Sequence, residues 1–219
     1  MPPRAGRSED PSARSDIVGL LLAGGLARRM GGGDKCLRHL AGRSILAHIL
    51  ERLRPQTKYL VLNANGDPGR FAPFDLPVVA DSVVGFAGPL AGVLAGLDWA
   101  SHHAPECPLV LSVPTDAPFL PRDLGERLRS LRSKEGADIA LAASNGRQHP
   151  VVGLWPVALR ESLRRALVEE EIRKVDVWTA RFRVSAVDFS GEGVDPFFNA
   201  NRPEDLAEAE ALMAAGATG

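Results

Sequence analysis

The sequence predicts an α/β fold: one three-layer domain with a mostly parallel, mixed central sheet and helices on both faces. Two observations carry this. Short apolar runs alternate with helical patterns from residue 17 to about 135, the signature of parallel strands joined by crossover helices. After residue 138 two apolar runs follow each other, separated by Asn145-Gly146, a pair that suits a hairpin turn and adds an antiparallel strand.

The elements follow in order. Ile17 to Ala23 (IVGLLLA) is continuously apolar, short and closed by glycines, so it reads as a buried strand. The Gly-rich loop GGLARRMGGGDK comes next. From Ser44, the positions Ile45, Leu46, Ile49, Leu50 and Leu53 repeat at helical spacing until Pro55. Tyr59 to Asn65 is a second strand and Pro77 to Asp81 a shorter third. Pro89 suits the first turn of a helix of small residues, GPLAGVLAGLDWA. Pro108 to Val113 is another buried strand, closed by PTD, and PRDLGERLRSLRS is a helix. DIALAAS and PVVGLW form the hairpin, helices follow near 157–169 and 172–179, RVSAVDF is the last strand and RPEDLAEAEALMA the last helix. Residues 1–15 carry no apolar periodicity and read as a disordered tail before one domain at 16–219.

Composition narrows the function classes. Of 219 residues, 45% are hydrophobic and 24% charged, with 26 basic and 27 acidic side chains and a net charge of −1. No global field draws in nucleic acid or an anionic membrane, and no apolar run is long enough to span a bilayer. Cys36 and Cys107 are too few for a disulfide framework and fit a reducing, cytoplasmic compartment. The 22 glycines and 17 prolines exceed the usual combined share of about 12%, so turns are abundant, and turns are where sites are built.

In open sheets of this type, ligands bind outside the carboxyl ends of the strands. Three such ends carry unusual chemistry: the Gly-rich loop, NANGD and PTD. Gly24 and Gly25 let backbone approach a ligand closely, with N–H groups free for phosphate oxygens. Arg28, Arg29 and Lys35 add cations. The loop is neither a Walker loop nor a dinucleotide fingerprint, and a mobile surface turn is the alternative. Asp116 in PTD sits where an acid can hold Mg²⁺ beside phosphates, or else caps a helix or closes an Asx-turn. Asp81, at the end of the third strand, reads as either a ligand contact or a turn residue. Cys36 reads as a small filler, since no general base stands beside it in sequence.

The ordered set LAGG-x-x-x-RMG-x-x-DK (Leu22 to Lys35), the NAN after the second strand, D-x₆-GPLAG (Asp81 to Gly92), PTD-x-P (Pro114 to Pro118), His149-Pro150, AVDF (Ala186 to Phe189) and FFNAN-x-PEDL (Phe197 to Leu206) resembles the molybdenum cofactor guanylyltransferase family. That family belongs to a nucleotidyltransferase-like group with a Rossmann-like fold of the nucleotide-diphospho-sugar transferase type. The resemblance covers nearly everything after residue 16.

The resemblance implies transfer of GMP from GTP to molybdenum-molybdopterin, giving molybdopterin guanine dinucleotide and pyrophosphate, with Mg²⁺ as cofactor. It implies GTP and the molybdenum cofactor as ligands, and molybdenum-insertion and acceptor enzymes as partners. Leu22, Ala23, Gly24 and Gly25 then match backbone contacts to the nucleotide. Arg29 and Lys35 match phosphate contacts, with Arg28 an extra cation or a solvated one. Asn63 matches a base contact or a turn residue, Asp81 a nucleotide contact, and Asp116 the nucleotide and metal contact. Asn199 and Asn201 match asparagines near the reaction centre. Gly88, Pro89 and Leu90 match a loop facing the pterin, and His149 is either an acceptor contact or structural. The chemistry agrees: two anions must approach, so cations, a metal and positioning are the aids needed. Two other functions remain open, a cytidylyl- or sugar-nucleotide transferase on the same fold and a nucleotide-binding adaptor without turnover. LAGG in place of LAAG favours guanine in this family, and the pairing of Lys35 with Asp116 disfavours the adaptor.

Overall fold

A computed structural model describes residues 16–24, 34–83, 85, 88–191 and 193–215. The expected tail at 1–15 and the loop positions Gly25, Arg28 and Arg29 lie outside the described residues. The elements are β1 (Ile17–Leu22), β2 (His39–Leu40), β3 (Arg43–Ser44), α1 (Ile45–Leu53), β4 (Tyr59–Asn63), β5 (Val78–Val79), α2 (Pro89–His103), β6 (Leu109–Pro114), α3 (Leu124–Glu135), β7 (Ile139–Ser144), β8 (Arg147–Pro156), α4 (Arg160–Val168), α5 (Val175–Thr179), β9 (Val184–Asp188) and α6 (Pro203–Ala214).

Seven strands form one mixed sheet in the order β5-β4-β1-β6-β8-β7-β9. Only β8 is antiparallel to its neighbours, β6 and β7. The hairpin turn is Asn145-Gly146, with φ of 49° and 73°, the double left-handed conformation that suits the twist of a two-residue hairpin. The β8 strand begins at Arg147, three residues before the expected Pro150, so His149 lies inside it.

Alternation along the strands divides the core into two layers. Ile17, Leu21, Leu62, Leu111 and Val113 face α1, α3 and α6. Val18, Leu20, Val61 and Val110 face α2, α4 and α5, together with the fully buried Trp155 and Trp178. On this second face α2 packs unusually close. A Cβ on Gly96 would come within 2.4 Å of Leu20, and one on Gly92 within 2.4 Å of Asn63 Oδ1. Glycine at both positions lets the helix backbone lie on β1 and β4, with its N-terminus at their carboxyl edge.

The small β2–β3 hairpin was not expected. Each strand has two residues, too short for a period-2 pattern, and its turn is Ala41-Gly42 with φ of 49° and 78°.

Candidate active site

The β1, β4 and β6 strands end level with one another. Leu22 is paired with Asn63 on one side and Pro114 on the other. Two more bonds carry this register past the strands: Ala23 N–H to Asn63 O at 2.9 Å, and Thr115 N–H to Leu22 O at 3.3 Å. The starts of all three chemistry-bearing loops are therefore adjacent.

On the β4 side Asp81 is the hub. Asn63 Nδ2 donates to Asp81 Oδ1 at 3.0 Å and to Val79 O at 3.2 Å. Asn65 Nδ2 donates to Asp81 Oδ2 at 2.8 Å, and its Oδ1 accepts the Asp81 N–H at 3.0 Å. Both N–H bonds of the Asn63 amide thus have partners within the protein, and its Oδ1 lies over Gly92. Asn63 and Asp81 act on each other in this state, and the amide has no donor left for a base edge. Ser82, next in the chain, donates to Asp98 Oδ2 at 2.8 Å, and Asp98 is paired with Arg164 on α4 at 2.6 Å.

Asp116 follows β6 and is half-buried. The helix after it starts only at Leu124, so Asp116 is not its cap. Burial raises its pKa above the ordinary carboxylate range, opposed by the charge of Lys35 and a hydrogen bond from its own backbone. The 199–201 segment docks here. Ala200 N–H donates to Asp116 O at 2.9 Å, and Lys35 Nζ donates to Asn201 Oδ1 at 2.7 Å. The Asn201 and Arg202 N–H groups are in turn held by Asp205 Oδ2, each at 2.8 Å, at the start of α6. Asn199 is exposed beside them.

Other assigned residues differ in accessibility. Gly24 is exposed, and a Cβ on it would meet nothing within 4 Å, so the protein described does not itself require glycine there. Gly88 and Pro89 are exposed at the start of α2, whereas the Leu90 side chain is fully buried in the core and is not presented to a ligand. Cys36 is buried, and burial with the nearby Asp34 charge pushes its thiol up to about 11. That suits an inert filler. Among the described residues no group of three or more His, Cys, Asp or Glu side chains is arranged to hold a metal. A carboxylate such as Asp116 fits a hard cation that takes its other ligands from phosphate oxygens and water.

A family description, MobA-like NTP transferase domain, matches residues 19–182. A molybdenum cofactor guanylyltransferase from Bradyrhizobium sp. (strain ORS 278) is 61% identical over 203 residues, covering 93% of this chain and 96% of that protein. The chain belongs to the molybdenum cofactor guanylyltransferase family. As a member of it, the chain is a nucleotidyltransferase. Solved structures agree on the guanylyltransferase fold. The molybdopterin-guanine dinucleotide biosynthesis protein A of Archaeoglobus fulgidus has a TM-score of 0.69 at 23% identity, covering 90% of this chain and 99% of that one. A 4-diphosphocytidyl-2C-methyl-D-erythritol synthase from Anaerococcus prevotii also has a TM-score of 0.69, at 14% identity, covering 94% and 100%.

Sequence reasoning missed Arg70, which shapes this guanylyltransferase site. Arg70 lies with its Nε 2.5 Å from Asp34 Oδ2 and donates to Asn65 O at 2.6 Å, so it ties the segment before Lys35 to the NAN loop. No local pattern marks it. Asn65 was legible: in an extended segment its spacing of two from Asn63 puts both amides on one side.

Proposed function

We propose that this chain transfers GMP from GTP to molybdenum-molybdopterin, forming molybdopterin guanine dinucleotide and pyrophosphate. The observation that carries the reading is the meeting of Lys35, Asn201 and Asp116 beside the level ends of β1, β4 and β6. In the reaction, a phosphate oxygen of the pterin attacks the α-phosphorus of GTP. That P–O bond forms as the bond from the α-phosphorus to the bridging oxygen of pyrophosphate breaks. Lys35, held by Asn201, supplies fixed positive charge to the phosphates. Asp116 would hold Mg²⁺, which when bound neutralises charge on the phosphates and the leaving pyrophosphate. Backbone at Leu22, Ala23 and Gly24 cradles the nucleotide, and Asp81 orders the NAN loop beside it. Gly88, Pro89, Asn199 and His149 lie on the acceptor side.

The near-zero net charge supplies no global field for nucleic acid or an anionic membrane, and no described helix is long and apolar enough to cross a membrane. The acceptor reaches this chain from molybdenum-insertion chemistry and leaves to acceptor enzymes. Two buried cysteines, neither in a disulfide, support a reducing cytoplasmic location.

The test is transfer by the purified protein with Mg²⁺, molybdopterin and GTP, ATP or CTP in turn, followed by pyrophosphate release and product mass. GTP should give the guanine dinucleotide. Equal use of CTP would move the reading to a cytidylyltransferase, and nucleotide binding without pyrophosphate release would leave a non-catalytic adaptor.

A further inference from the structure

A second polar cluster lies at the same sheet edge, on the β7–β8 side. Ser144 ends β7, His149 lies in β8, and Asp195 begins the loop that runs to Asn199 and Asn201. Ser144 Oγ is 2.8 Å from Asp195 Oδ1 and 2.7 Å from His149 Nε2. Asp195 is itself fixed: Oδ1 accepts the Phe197 N–H at 3.0 Å, and Oδ2 lies 3.4 Å from Asn145 Nδ2. The His149 ring packs against Phe197, 4.5 Å between ring centres. The far end of the same loop carries the Ala200–Asp116 and Asn201–Lys35 bonds. The cluster is thus joined to the reaction centre through residues 196–200.

Proton counting gives this chain of bonds a direction. A carboxylate only accepts, so Asp195 Oδ1 takes the single hydroxyl proton of Ser144. Ser144 Oγ is then left with lone pairs, and His149 Nε2 must donate to it. Burial holds the His149 pKa below the ordinary imidazole range, with Asp195 opposing and Arg147 reinforcing the shift, so the ring is mainly neutral at neutral pH. A neutral ring protonated on Nε2 has a bare lone pair on Nδ1. Among the described residues Nδ1 has no partner, and His149 is half-buried.

We propose that Asp195 and Ser144 lock His149 in the Nε2–H tautomer, so that Nδ1 accepts a hydrogen bond from an N–H group of the acceptor substrate. This rests on the reading above that the acceptor is a pterin, whose ring and exocyclic nitrogens are rich in N–H donors. His149 is then a specificity residue for a donor-bearing heterocycle. Ser144 and Asp195 are positioning residues that act through it. A histidine free to change tautomer would present a donor at Nδ1 for part of the time and weaken this discrimination.

The tautomer is read directly by two-bond proton–nitrogen correlation on ligand-free protein with labelled histidine rings at neutral pH. Wild-type protein should show His149 as the neutral Nε2–H form. Ser144→Ala should let the tautomers mix, and Ser144→Thr, which keeps a hydroxyl, should restore the wild-type pattern. In turnover, His149→Ala should raise the KM for molybdopterin by about tenfold, as expected for one lost hydrogen bond, and Ser144→Ala by about twofold, the share of ring lost to the other tautomer, with the KM for GTP unchanged in both. An Nδ1–H or protonated ring in the wild-type protein overturns the proposal. So does an equal rise in both KM values, because the cluster would then serve the fold alone. The failure of the underlying reading looks different: wild-type protein with the expected tautomer but no transfer to molybdopterin overturns the pterin acceptor, and with it this role for Nδ1.

Discussion

Lys35 and Asn201, 166 residues apart in the chain, meet at 2.7 Å, with the lysine ammonium donating to the asparagine carbonyl oxygen. The bond joins the end of the first loop to the segment just before α6. It spends one of three ammonium protons and leaves the charge for a ligand, while restricting a side chain that otherwise samples many rotamers.

Removing the tether should therefore cost less than removing the charge. We expect kcat/KM to fall about tenfold in Asn201→Ala and on the order of 10²-fold in Lys35→Ala. The double variant should be no worse than Lys35→Ala, because the asparagine acts through the lysine. Steady-state kinetics decide this. Additive losses would mean that Asn201 has an independent contact.

Asp116→Asn separates function from stability. Turnover with Mg²⁺ should fall on the order of 10²-fold or more. Burial raises the Asp116 pKa in the folded state, so ionisation is disfavoured there relative to the unfolded chain. The wild-type protein therefore bears a stability penalty that appears as pH rises above the unfolded aspartate pKa, about 3.9, and is fully developed above the folded value. The variant should melt at an equal or higher temperature than wild type at neutral pH, and the gap should close in acid. A melting temperature lower than wild type at neutral pH would contradict the assignment of Asp116 as a carboxylate whose ionisation is disfavoured by burial.

Two glycines at one edge should behave in opposite ways. A Cβ on Gly92 would come within 2.4 Å of Asn63 Oδ1 and 2.7 Å of Leu22 Cδ2, whereas one on Gly24 meets nothing within 4 Å. Gly92→Ala should destabilise the fold by roughly 1–3 kcal/mol through overpacking. Gly24→Ala should leave the melting temperature of the ligand-free protein near wild type and weaken GTP binding. Calorimetry and thermal melting on both variants test the pair. Unchanged GTP affinity in Gly24→Ala would mean that the nucleotide does not approach that backbone.

Cys36 should be chemically silent. With its thiol pushed up to about 11, almost none is thiolate at neutral pH, so iodoacetamide should label it only after unfolding. Cys36→Ala should retain transfer activity. Rapid labelling of folded protein, read by mass spectrometry, would show that the thiol is accessible and activated.

Most of the fold was legible because its signals are local. The IVGLLL and LVLSVP runs, the helical spacing of Ile45 to Leu53 and the Asn145-Gly146 turn each lie within the span of the element they define. The two-residue strands β2 and β3 escaped because nothing so short repeats. At the site, Asp116 and Lys35 were marked by residue type and by resemblance to a family. Arg70, Ser144 and Asp195 were not, since each is defined by a partner distant in the chain.

The sequence by itself determined the longer elements, the parallel character of most strands, the position of the β7–β8 hairpin and the loops that carry cations and acids. Those follow from periodicity, turn chemistry and handedness, which act over neighbouring residues. Only the tertiary structure decided what each polar group has left to offer. Asn63 was legible as a strand-end amide, yet folding brings Asp81 and Val79 to its N–H groups and Gly92 to its oxygen. His149 was legible as a histidine near a strand, yet its tautomer follows from Ser144 and Asp195. A side chain has a fixed number of donors and acceptors, and the partners that occupy them are assembled by the order of strands in the sheet, which no local pattern encodes.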